Sequence, residues 1–82
     1  MSGANSAQAQ RERLLLALRS GPVTTLEARS ALDILMPATR VHELRHGQGL
    51  NIGTNWIWRP TDSGQLHRVA IYTLHPGVWR AA

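Results

Sequence analysis

Residues 7–20 run without glycine or proline, and Leu14, Leu15 and Leu18 fall at the i, i+1, i+4 spacing of one helix face. Ser6 stands where it can cap this helix, and Gly21-Pro22 is a stop signal. Pro22-Val23-Thr24 reads as a short extended link. Thr24 and Glu27, three residues apart, have the spacing of a capping box and open a second helix. Leu26, Ala28, Ala31 and Leu32 give that helix a packing side. Asp33 then breaks the pattern, because Asp tolerates the left-handed backbone that a sharp turn between helices needs. Ile34 and Leu35 are expected to be buried in this turn. Pro37 suits the first position of a third helix, predicted to run from Pro37 to His46 and to end at Gly47 and Gly49.

Beyond Gly49 the period shifts to two. Ile52, Thr54, Trp56 and Trp58 alternate with Asn51, Gly53, Asn55 and Ile57, the pattern of a strand. Residues 59–65 are dense in turn formers, and residues 66–74 carry the β formers Val69, Ile71 and Tyr72. The two strands are expected to pair as an antiparallel hairpin, with Trp56 and Trp58 on one face completing the core. Pro76-Gly77 is expected to end the fold. The chain thus divides into a flexible lead-in at residues 1–9, one domain at residues 10–75 and a tail at residues 76–82. Three helices followed by a two-stranded β-hairpin is the order of a winged helix-turn-helix fold, in the α+β class.

Composition narrows the function. A chain of 82 residues builds one small core, drawn here from Leu, Ile, Val, Ala and three tryptophans, with no Phe. There is no cysteine, which excludes disulfides, thiolate zinc sites and a thiol nucleophile and fits a reducing, cytoplasmic setting. No early apolar run has the length of a signal or membrane segment, so no membrane role is expected. The formal net charge is +4, which favours a polyanionic partner. Residues 1–35 hold four arginines against three acids, whereas residues 36–82 hold five arginines against two acids and all four histidines. A nucleic-acid face belongs in this second part.

The helix-turn-helix runs from Thr24 to Arg45, and its second helix is the one that enters the major groove in this geometry. Val41 and Leu44 must point to the core. At about 100° per residue, Thr39, Glu43 and His46 then project outward, with Arg40 and His42 beside them. Arg40 is the candidate for a guanine contact, because its fork matches the O6/N7 pair. Glu43 can accept from a cytosine amine but repels phosphate. Arg45 lies nearer the core and is expected to be structural or phosphate-facing. On the hairpin, Arg59, His67 and Arg68 surround the turn, where a wing reaches the minor groove or adjacent phosphates. The expected partner is double-stranded DNA, bound by a homodimer, because one module this small touches few bases. No cofactor is expected and the protein is not expected to be an enzyme.

Thr25-Leu26-Glu27-Ala28-Arg29, the stretch Pro37-Ala38-Thr39-Arg40-Val41-His42-Glu43-Leu44-Arg45, then Gly49, Trp56 and Trp58 resemble the small winged helix-turn-helix proteins of proteobacteria and their phages. The resemblance covers about residues 10–75 and implies that fold with a DNA-binding role, such as a transcription regulator or an architectural factor of the excisionase type. It names no target. Asp33 stands where that family usually has Gly, and Met36 where a capping residue is usual.

Two other readings compete. His42-Glu43-Leu44-Arg45-His46 matches the H-E-x-x-H pattern of zinc metallopeptidases, with Gly49 at the glycine of the longer metzincin form. The next ligand position is Ile52, which cannot bind zinc, so a third ligand would have to come from His67, His75 or a distant acid. The other reading is a winged helix that docks a protein. It predicts an exposed apolar patch in place of a continuous positive face.

Overall fold

The computed structural model describes residues 5–80. Six elements follow in order: α1 (Ala7–Ser20), β1 (Val23–Thr24), α2 (Thr25–Ser30), α3 (Pro37–Gln48), β2 (Leu50–Pro60) and β3 (Leu66–Val78). The lead-in expected at residues 1–9 lies partly outside the described residues, and α1 already starts at Ala7, where the Ser6 hydroxyl accepts from the Ala9 amide at 3.1 Å. The chain is a winged helix-turn-helix in which the helices pack on a three-stranded antiparallel sheet of order β1-β3-β2. The hairpin alone was expected. The link at residues 22–24 is instead the third strand, pairing Val23 with Tyr72 and Thr24 with Ile71.

The local chemistry explains each boundary. Thr24 and Glu27 close the capping box reciprocally, each accepting from the other's backbone amide at 3.0 Å. That fixes the step from β1 directly into α2. Asp33 holds the sharp turn at φ 53°, in the left-handed region. Its neighbour Ile34 is fully buried, whereas Leu35 is 79% exposed, against the expectation that both would be covered. Ile34 takes the inward position after the αL step, and Leu35 and Met36 follow it outward before Pro37 re-enters the core. Met36 gives α3 no side-chain cap, and Gly49 ends the helix at φ 68°.

The core joins Leu14 and Leu18 of α1, Val23, Ala28, Ile34, Val41 and Leu44 of α3, and Ile52, Ala70 and Tyr72 of the sheet. Burial of each large member contributes about 1.5–3 kcal/mol. This core fixes the pose of α3: Val41 and Leu44 point inward, as the helical spacing requires.

The hairpin is longer than expected. Pairing runs from Leu50 opposite Val78 to Pro60 opposite Leu66, with a bulge between Leu50 and Ile52. Pro76-Gly77 therefore does not end the fold. The strand continues to Val78, and the Trp79 amide donates to the Gly49 carbonyl at 2.9 Å. The largest correction concerns the tryptophans. Trp56 and Trp58 share the face of buried Ile52, but they are 58% and 61% exposed. The helical layer covers that face only at the base of the hairpin, and both rings lie beyond it on the projecting wing.

Candidate nucleic-acid interface

Helix α3 presents His42 and His46 to solvent and Thr39 half-buried beside them. The two imidazoles stack as neighbours one turn apart, ring centroids 4.2 Å apart and tilted by 44°. Of the expected outward set, Thr39 and His46 lie on this surface together with the flanking His42, and Glu43 does not join them.

Arg40 and Glu43 are placed differently. Glu43 Oε1 accepts from Arg11 Nη1 at 2.9 Å and lies 3.4 Å from Arg40 Nη1. The Arg40 side chain is only 15% exposed, and its Nε is buried without a hydrogen-bond partner. Both residues therefore turn toward α1 and brace α3 against it. The fork expected to read guanine lies beside Glu43 with little of its length exposed, so a base contact requires the side chain to leave this position. Arg11, which lies 32 positions before Glu43, was missed because nothing in the local pattern links them.

Arg45 is structural. Its Nε donates to the Ile52 carbonyl at 2.8 Å and its Nη2 to Thr54 Oγ1 at 2.7 Å. Burial pulls its pKa below the usual arginine value, with Tyr72 acting in the opposite direction.

The wing residues are all exposed but do not form one cluster. Arg59 pairs across the strands with His67, on one face of the hairpin. Arg68 pairs with Trp58 on the other face, and its guanidinium carbon sits 5.0 Å from the centroid of the Trp56 ring. This second face looks toward the start of α3 across a cleft of about 370 Å³, walled by Arg29 of α2, by Met36, Ala38 and Thr39, and by Trp56 and Arg68. The sequence marks Arg29 as part of the family-like stretch and Met36 as a missing cap, and assigns neither to the site. They join the site only through the arch of the hairpin.

The H-E-x-x-H match does not assemble. Glu43, which would have to serve as the general base, is held between two arginines, and Ile52 is fully buried in the core. Among the described residues no group of three or more His, Asp or Glu side chains is placed to hold a metal ion.

Among the described residues no helix is long and apolar enough to cross a membrane. No curated protein and no solved structure matches the chain. One family profile does, over residues 9–76, from α1 through almost all of β3, and on that match the chain belongs to the family described as winged helix-turn-helix domain.

Proposed function

We propose that the protein binds double-stranded DNA, with α3 in the major groove and the hairpin on the flanking backbone or minor groove. The observation that carries this reading is the surface made by exposed His42 and His46 with half-buried Thr39 beside them, on the helix that the fold offers to the groove. Arg59, His67 and Arg68 extend that surface along the wing. Arg40 and Glu43 hold the helix in place from its flank. The net charge of +4 supplies the sequence-independent attraction to phosphate.

A homodimer on a two-fold site supplies the contact area that one small module lacks. The role is that of a cytoplasmic transcription regulator or an excisionase-like architectural factor. Selection of duplexes from a random pool, followed by footprinting of the winners, tests this. Two protected half-sites about 34 Å apart, or a multiple of that, are expected for a dimer. A pool that never enriches contradicts sequence-specific binding.

One observation favours the second reading, a protein-docking winged helix. Trp56, Trp58 and Leu66 are exposed by 58%, 61% and 63% on the wing, and Met36 by 59% beside it. Such a strip is unusual on a lone soluble surface. If it docks a protein, substitution of Trp58 by a polar residue abolishes partner binding and leaves DNA affinity unchanged.

A further inference from the structure

The cleft between the helix-turn-helix and the wing combines three features that belong to one ligand chemistry. It is an open cleft whose volume of about 370 Å³ is of the size of small-molecule sites. Arg29 of α2 and Arg68 of β3 both line it, and among the described residues neither has a carboxylate within ion-pair distance. The Nε of Arg29 donates to the Leu35 carbonyl at 3.3 Å, which holds the side chain in place while its terminal nitrogens stay available. Trp56 lines the same cleft with 58% of its surface open, steadied by the Arg68 guanidinium over its ring. A planar aromatic wall, two unpaired cations and a neighbouring thioether at Met36 match a flat ring joined to a phosphate.

We infer that this cleft holds one unpaired nucleotide of the bound DNA, its base stacked on Trp56 and its phosphate held by Arg29 and Arg68. The inference rests on the duplex-DNA reading and goes beyond it. It makes the wing a device that favours a displaced base next to the helix, where an ordinary wing follows the backbone alone. Aromatic stacking of this kind tolerates any base, so the cleft adds affinity for a distorted site without adding sequence preference. Glu43, the nearest acid of α3 in sequence, is engaged with Arg11 and Arg40, and Asp62 of the hairpin turn lines the adjoining groove below Arg29 and not this cleft.

The test compares the full chain on two labelled duplexes by fluorescence anisotropy, one fully paired and one carrying a single unpaired thymidine. Tighter binding to the second, by about fivefold to a hundredfold, is expected. That preference should vanish in Trp56→Ala, persist in Trp56→Phe, and shrink in Arg29→Gln and Arg68→Gln, with each variant's fold checked by circular dichroism. Equal affinity for the two duplexes overturns the inference and leaves the duplex reading standing. No binding to either overturns both. A Trp56→Ala change that converts a dimer to a monomer in sedimentation, with the thymidine preference intact, overturns it in favour of a protein contact at the same wall.

Discussion

The guanidinium carbon of Arg45 lies 4.1 Å from the centroid of the Trp79 ring, stacked between the end of α3 and the end of β3. The same guanidinium donates to the Ile52 carbonyl and the Thr54 hydroxyl. One side chain therefore ties α3, β2 and the segment after β3 together. Arg45→Ala should lower unfolding stability by about 2 kcal/mol, the scale of charge-assisted hydrogen bonds lost from a partly buried site. Arg45→Lys should recover little of it, because an ammonium cannot stack and fork at once. Urea denaturation of the three proteins measures both.

Glu43 carries the only carboxylate on α3, and it is neutralised by two arginines. Its side chain is 35% exposed, so its pairs contribute modestly. Glu43→Gln should cost about 0.5–1 kcal/mol of stability. It should also strengthen DNA binding, since it removes a negative charge and frees Arg40 to reach phosphate. Weakened binding with relaxed base preference would instead place Glu43 directly on a base.

Asp33 adopts φ 53° without the freedom of glycine. Asp33→Gly should raise stability by about 0.5–1 kcal/mol, relief of part of the left-handed cost partly offset by added freedom in the unfolded chain. Asp33→Val, branched at Cβ, should destabilise by more than that. Thermal unfolding of the pair decides the sign.

Much of this fold is legible in the residues. The capping box at Thr24 and Glu27, the turn at Asp33 and the inward pair Val41 and Leu44 follow from local rules, and the structure has them. What escaped depends on distance along the chain. Two residues, Val23 and Thr24, are too few to show a period, so β1 becomes visible only through its partner β3. Alternation places Trp56 and Trp58 on the face of Ile52 but cannot say where the helices stop covering that face. The angle on the helix puts Arg40 beside the outward face, whereas its orientation is set by Glu43 and, through it, by Arg11 on another helix.

On the wing, Arg59→Ala and Arg68→Ala should act differently although both remove one charge. Each should reduce the salt slope of binding by about 1 if it touches phosphate. Arg68 also covers Trp56, so its loss should change tryptophan fluorescence in the free protein, whereas Arg59→Ala should not. Anisotropy across salt, paired with emission spectra, separates the two.

The most direct test of the DNA-binding claim is the affinity of the full chain for random-sequence duplex DNA, measured by fluorescence anisotropy over a salt series with and without chelator. The account predicts that log affinity falls linearly with log salt, by roughly 0.9 per phosphate contacted, and ignores the chelator. Absence of binding at low salt would contradict it and leave the exposed tryptophan strip of the wing as the functional surface.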